Sequence, residues 1–209
     1  MTAPKKIDLR RELKHLYWPS AKEVVEVEVP EMRFLMVDGE GDPKTSEAFE
    51  EAAEALYALS YAIKFAVKKQ EGLDYRVIPL EGLWWTEDEE TDLEMVLGDK
   101  SAWKWTLMIL QPEWVTEERF GGVLDSVRQK KGLSALPGER FECFREGRAA
   151  QVMHVGPFAD EGPTIERIDR FIGQRGGEMR GKHHEIYLSD FRRTAPERLK
   201  TIIRHPFGR

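Results

Sequence analysis

Ala150-Gln151-Val152-Met153-His154-Val155-Gly156 is an apolar run that ends in a Gly-Pro turn. A helix-like segment from about Glu161 to Gln174 follows, then a second strand-like run at His183–Leu188. The same order occurs earlier in the chain. Phe34-Leu35-Met36-Val37-Asp38-Gly39 runs into a Gly/Asp/Pro turn at Pro43, a long helix is expected from about Ser46 to Gln70, and a strand is expected at Tyr75–Leu80. Each half also has a preceding strand, at Glu23–Val29 and at Glu139–Arg145. The pattern is strand, strand, helix, strand, twice over, and it is read first because a missed repeat misassigns the fold.

Local signals agree with the pattern. Val25, Val27 and Val29 alternate with Glu26 and Glu28, the period of a half-buried strand. Phe49, Leu56, Leu59, Ile63 and Val67 share one face of the first helix, as Ile165, Ile168, Phe171 and Ile172 do on the second, which Gly176-Gly177 stops. Glu146-Gly147 separates two strand-like runs and reads as a tight hairpin turn. Between the halves, Trp103–Leu110 reads as a strand, and Thr116 caps a helix to about Lys131. Thr194 and Glu197 have capping-box spacing, which predicts a C-terminal helix over Leu199, Ile202 and Ile203. The acidic loop Thr86–Asp92 is expected to be mobile. The expected class is α+β: one domain over 1–209, with module one at about 20–85, an insert at about 86–135, and module two at about 136–204.

The chain has 209 residues, 41% of them hydrophobic and 33% charged, enough for an ordinary core under a very polar surface. A chain of this size buries roughly 70% of its unfolded surface, so disorder as the main state is excluded. With 32 Lys plus Arg against 38 Asp plus Glu, the formal net charge of −6 argues against a nucleic-acid binder held by phosphate contacts. Cys143 is the only cysteine, which forbids an intramolecular disulfide; on its strand it reads as a small core residue. Residues 1–20 lack a signal-peptide apolar region, and no run reaches the ~20 apolar residues that span a bilayer, so a soluble, cytoplasmic protein without membrane attachment is expected.

The richest stretch chemically is His183-His184-Glu185-Ile186-Tyr187-Leu188. Alternation sends Ile186 and Leu188 to one face, expected to be the helix-covered one, and His183, Glu185 and Tyr187 to the other. A carboxylate and a phenol two residues apart on one strand face sit about 7 Å apart by Cα, close enough to meet one ligand. Aligning the halves matches Glu185 to Val77, so the pair occurs in one module only; an exposed sheet face in water is the plainer reading. All six tryptophans lie outside the second module. Trp84, Trp85, Trp103 and Trp105 would give a sheet face the apolar walls that small-molecule pockets have, or would be core. Tyr57, Tyr61 and Phe65 form a stripe on the first helix, with Phe65 read as core and Tyr61 as a ligand-binding candidate together with His183. The five histidines lack metal-ligand spacing, there is no G-x-S-x-G or P-loop, and Gly39-Glu40-Gly41 ends in Asp42-Pro43 as a turn does. No metal and no cofactor is expected.

The two modules, Val155-Gly156-Pro157-Phe158, and His184-Glu185-Ile186-Tyr187-Leu188 together resemble the GyrI-like small-molecule-binding domains, which also form the effector-binding part of drug-responsive transcription activators. The resemblance covers about residues 20–204; Pro79-Leu80-Glu81-Gly82-Leu83-Trp84-Trp85 and Tyr187-Leu188-Ser189-Asp190 resemble a stand-alone subgroup. It implies two pseudo-symmetric modules whose antiparallel sheets share a ligand groove, with a buried glutamate at the position of Glu185 meeting cationic aromatic drugs. Some stand-alone members are described as hydrolases of cyclopropanoid genotoxins, which would make Glu185 a general base and Tyr187 its partner. Residues 1–20 hold only a short basic amphipathic segment, with no room for the regulators' helix-turn-helix domain. The readings to be separated are a hydrolase of flat xenobiotics, a non-catalytic drug-sequestering protein with Glu185 as counter-charge, and an interaction module for a protein partner, which the scattered acidic pairs do little to support.

Overall fold

The computed structural model describes residues 5–43, 45–86, 103–131 and 138–209. In chain order the elements are β1 (Lys5–Ile7), α1 (Leu9–Glu12), α2 (Lys14–Tyr17), β2 (Val25–Val29), β3 (Met32–Glu40), α3 (Glu47–Glu71), β4 (Leu73–Tyr75), β5 (Glu81–Trp85), β6 (Lys104–Gln111) and α4 (Glu117–Lys131). Then come β7 (Arg140–Phe144), β8 (Gly147–Val155), α5 (Gly162–Gly173), β9 (Glu178–Met179), β10 (His183–Tyr187) and β11 (Lys200–Gly208). The class is α+β, as the residue pattern predicts.

One antiparallel sheet carries both halves in the order β2-β8-β11-β10-β5-β6-β3-β7, with β9 added beside β11. The order is pseudo-symmetric about the β5–β10 pair, but the halves exchange strands: β2 pairs with β8, and β7 pairs with β3. Two two-residue links then decide the sheet's shape. Residues 30–31 join β2 to β3, and 145–146 join β7 to β8, each pair six places apart in the sheet. Six flat strand spacings would be about 29 Å. Three Cα steps reach only about 11 Å. The sheet must therefore curl until its edges approach, as strands do toward barrel closure. The Glu146-Gly147 step is thus a crossing between the two edges of the sheet rather than the expected hairpin turn.

Both faces of the half-barrel are covered. On the convex face α3 lies over β3 and β6, while α5 lies over β8 and β11, so the central strands β5 and β10 run between the helices. Ser46 caps α3 by accepting from the Phe49 N–H, and Gly72 ends it in the left-handed conformation. The concave face holds Phe34, Met36, Leu83, Met108, Ile186 and Ile202, closed by Leu9, Leu16 and Tyr17 of α1 and α2. Ile186 therefore packs against this N-terminal plug, and it is the face of Glu185 and Tyr187 that carries the long helices, opposite to expectation. The amphipathic N-terminal segment supplies the second cover.

Three other expectations are corrected. The strand placed at Tyr75–Leu80 forms instead at Glu81–Trp85, because Tyr75 ends the short parallel ribbon of β4 with β1. The segment over Leu199, Ile202 and Ile203 is a strand, preceded by a single 3-10 turn at Pro196–Arg198. Its β-branched Thr201, Ile202 and Ile203 fill the slot between β8 and β10, where tertiary pairing overrides the capping-box spacing. Cys143 is exposed on edge strand β7, where cover on that face reaches only Phe141, packed on Phe120 of α4. All of the acidic loop 86–92 except Thr86 lies outside the described residues. Among those described, no helix is long and apolar enough to cross a membrane.

Candidate functional site

β10 runs antiparallel between β5 and β11, so three residues on its convex face meet partners from both sides. Tyr187 donates its hydroxyl hydrogen to Glu185 Oε2 at 2.8 Å. Glu185 Oε1 lies 3.1 Å from His183 Nε2, and His183 Nδ1 lies 2.6 Å from Nε2 of His205 on β11. The bonding assigns the tautomers: His183 donates from Nε2 to the glutamate, so its bare Nδ1 accepts from the His205 Nε2–H. His205 Nδ1 is then an acceptor, and it has no partner among the described residues.

Burial runs along this chain. His183 and His205 are fully buried, Glu185 is nearly so, and Tyr187 is half-buried. Burial, and then the neighbouring Glu185, push the Tyr187 hydroxyl well above its ordinary range, which keeps it a phenol and a donor at neutral pH. Burial, followed by His183 and His184, holds His205 well below the usual imidazole range, so it is a neutral member of the chain.

The residue across the strand pair from Glu185 is Gly82. A Cβ there would stand 2.9 Å from Trp84 Nε1 and 3.0 Å from the Tyr187 oxygen, so the indole and the phenol use the space above the glycine. Sequence reasoning missed Gly82; a glycine opposite the one charged residue of the other central strand was the available signal. It also missed His205, because the segment just before it, over Leu199, Ile202 and Ile203, reads as a helix rather than as the strand that carries it.

Aromatic rings pack beside Tyr187. Phe158 packs edge-on against Tyr187 at 5.8 Å and against exposed Phe191 at 6.4 Å. Phe158 is set by the turn after β8. His154 bonds the Thr164 hydroxyl at 3.0 Å and the Pro157 carbonyl at 3.2 Å, and Gly156 adopts a φ of 144° with His154 so close that a Cβ would strain the turn. On the α3 side, the Tyr57 hydroxyl accepts the Leu80 N–H at 3.3 Å. Asp190 and Arg192, just beyond β10, lie near enough to act electrostatically on that hydroxyl.

The sequence-predicted ligand residues divide. Trp84 stands beside the Tyr187 hydroxyl above Gly82, its ring fully buried and stacked on Phe49 at 5.7 Å. Trp103 packs on Trp84 at 5.4 Å, and Trp105 packs edge-on against Phe49 at 5.4 Å; both are fully buried in the convex-face core. Trp85 is on the concave face, with the Lys182 ammonium 3.4 Å from its ring centroid. Adjacent strand residues point to opposite faces, so Trp84 and Trp85 cannot line one groove. Tyr61 is exposed on α3 and stacks with Phe65, which is more exposed still and so is not core. Among the described residues no His/Cys/Asp/Glu group is arranged to hold a metal ion.

Comparison with known proteins agrees with this architecture. The model of the GyrI-like small molecule binding domain matches residues 22–207. Similar solved structures include an uncharacterized conserved protein from Listeria innocua, 40% identical over 97% of this chain and 100% of that one, with a TM-score of 0.86. Another is described as a hydrolase from Listeria innocua, 38% identical over 97% of this chain and 100% of its own, with a TM-score of 0.83. The EcmrR C-terminal domain, 11% identical over 90% of this chain and 98% of its own, has a TM-score of 0.52 and shares the fold alone. No curated protein sequence matches. With nearly its whole length matched, the chain belongs to the GyrI-like small molecule binding domain family.

Proposed function

We propose that this protein binds flat aromatic small molecules between α3 and α5 and hydrolyses reactive cyclopropanoid genotoxins, with Glu185 as general base and Tyr187 as its partner. The observation that carries the reading is the 2.8 Å bond from the Tyr187 hydroxyl to Glu185, at the half-buried end of an otherwise buried polar chain and beside the rings of Phe158 and Phe191. The 38% identity to a protein described as a hydrolase supports the catalytic half of the reading.

In the reaction, water adds to the methylene of a cyclopropane fused to a conjugated ketone. The C–O bond forms as the strained C–C bond breaks, and the electron pair passes through the conjugated system to the ketone oxygen. Glu185 takes one proton from the water as general base. The ketone oxygen, which becomes a phenolate, needs a donor, and Tyr187 would serve by turning its single hydroxyl hydrogen from Glu185 to that oxygen. The proton on Glu185 returns to the product, so the sum is substrate plus one water. Opening the ring before it alkylates another molecule would make the activity protective.

The test is incubation of the pure protein with a duocarmycin-type cyclopropane compound, read by mass spectrometry, with Glu185→Gln in parallel. The expected result is a product heavier by one water, absent with the variant. Equal turnover by the variant would end the general-base role. An unchanged compound that still quenches tryptophan fluorescence would leave a sequestering protein. Glu185 would then be a counter-charge for cationic drugs, a reading favoured by its position among aromatic rings.

A further inference from the structure

At one mouth of the half-barrel, a cavity of about 500 Å³ lies between the N-terminal plug and the ends of the central strands. Trp18, Val155 and Leu188 form its apolar wall, and Arg10, Arg198 and Lys200 supply cations. Val155, Leu188 and Lys200 all point to the concave side, the face of Ile186 and Ile202, so the cavity is separated from Glu185 and Tyr187 by the sheet itself.

Three observations indicate what it would hold. Trp18 is 49% exposed and Val155 48% exposed, two large apolar side chains left side by side in water. The Arg10 guanidinium carbon lies 5.1 Å from the Trp18 ring centroid and the Lys200 ammonium 5.9 Å, so the indole is already flanked by positive charge. Neither the Arg10 nor the Lys200 side chain has a carboxylate partner among the described residues, and the one acid lining the cavity, Glu197, sits 4.0 Å from Arg198. Arg10 is besides crowded by a like charge: burial, and then Arg76, draw it below its usual range, with only Asp8 opposing. Arg10 and Lys200, beside an exposed indole on a chain whose formal net charge is −6, are thus two cations without a carboxylate ion pair among the described residues.

We propose that this cavity is a second ligand site, specific for organic anions with a flat aromatic body. The rings lie on Trp18 and against Val155 and Leu188, and the carboxylate or sulfonate sits between Arg10 and Lys200. The site is independent of the Glu185 pair.

The test is a fluorescence titration of the full chain with 8-anilinonaphthalene-1-sulfonate, followed by displacement with naphthalene-2-sulfonate and with neutral 2-naphthol. One site is expected, emptied by the sulfonate at a concentration at least tenfold lower than by the naphthol, and weakened by salt. Lys200→Glu and Arg10→Glu should each weaken the probe at least tenfold, and Glu185→Gln should leave its affinity unchanged. Trp18→Ala, at an exposed side chain, gives a second variant should a charge reversal disturb folding, and it should also weaken binding at least tenfold. Equal displacement by the neutral naphthol, affinity indifferent to Arg10, Lys200 and Trp18, or loss of the probe in Glu185→Gln would each overturn the proposal.

Discussion

Glu146, in the two-residue link between the two edges of the sheet, holds His184 of central strand β10 at 3.0 Å. The other nitrogen of His184 meets Glu81 Oε2 at 3.0 Å, and Glu81 Oε1 accepts the Tyr17 hydroxyl at 2.7 Å. Arg204 completes the concave-face network, donating to Glu146 at 3.1 Å, to Gln151 at 2.9 Å and to the Leu16 carbonyl at 2.8 Å. The same polar cluster thus ties the sheet's closure to the seating of the N-terminal plug.

That network makes stability pH-dependent with a definite sign. Burial alone would raise the Glu146 carboxyl, but the charges of His184 and Arg204 bring it down to about 2. Its stabilisation is therefore present above an ordinary carboxyl pKa of ~4.3 and is lost as pH falls from there toward the folded value. Burial alone would lower His184, but Glu146 raises it above its ordinary value, so its contribution is present below ~6.5 and is lost as pH rises through the raised value. The melting-temperature difference between the wild type and Glu146→Gln should be greatest between these limits and shrink toward pH 2. A difference that stays constant from pH 6 to pH 2 would show that Glu146 is not held as a buried anion.

Tyr187→Phe keeps the ring against Phe158 and removes only the hydroxyl. Turnover of a cyclopropane substrate should fall about 10²–10³-fold, the usual cost of losing one donor to a developing oxyanion. Ligand affinity should stay within a few-fold, since the edge-on contact at 5.8 Å is retained. Parallel kcat and Kd measurements separate the two effects; a large rise in Kd with unchanged kcat would make Tyr187 a binding residue instead.

Gly82→Ala tests the space above the glycine. The added methyl would stand 2.9 Å from the Trp84 nitrogen, closer than real contacts allow, and 3.0 Å from the Tyr187 oxygen, so the indole must shift and the hydroxyl give by a few tenths of an ångström. The overpacking should cost about 1–3 kcal/mol of stability by urea denaturation. Turnover should drop, but by less than in Tyr187→Phe, and wild-type turnover in the variant would show that the hydroxyl can shift without consequence.

Trp103→Ala should act on the fold first. The ring is fully buried against Trp84 at 5.4 Å, and deleting such a side chain costs about 3–5 kcal/mol. Chemical denaturation should show that loss, while the remaining folded protein binds flat ligands with affinity reduced by less than about tenfold. Unchanged stability with strongly weakened binding would place the ring in contact with ligand.

The sequence by itself determined the α+β class, the two helices with the glycines that stop the second, and the sharing of one strand face by His183, Glu185 and Tyr187. Each depends on period, on capping chemistry or on alternation, all of which are local. It did not determine which face those residues turn to the helices, because a curled sheet has two covered sides, and the second cover is a short N-terminal segment with little periodic signal of its own. Tertiary structure decided the exchange of β2 and β7 between the halves and the strand state of 200–208, both set by which backbone edge is left to pair. It also decided which tryptophans stand near Glu185: Trp84 and Trp85 are neighbours in the chain, but the pleat sends them to opposite sides of the sheet. The partners of Glu185 at longer range, Gly82 and His205, come from the two strands flanking β10, a placement that only long-range pairing creates.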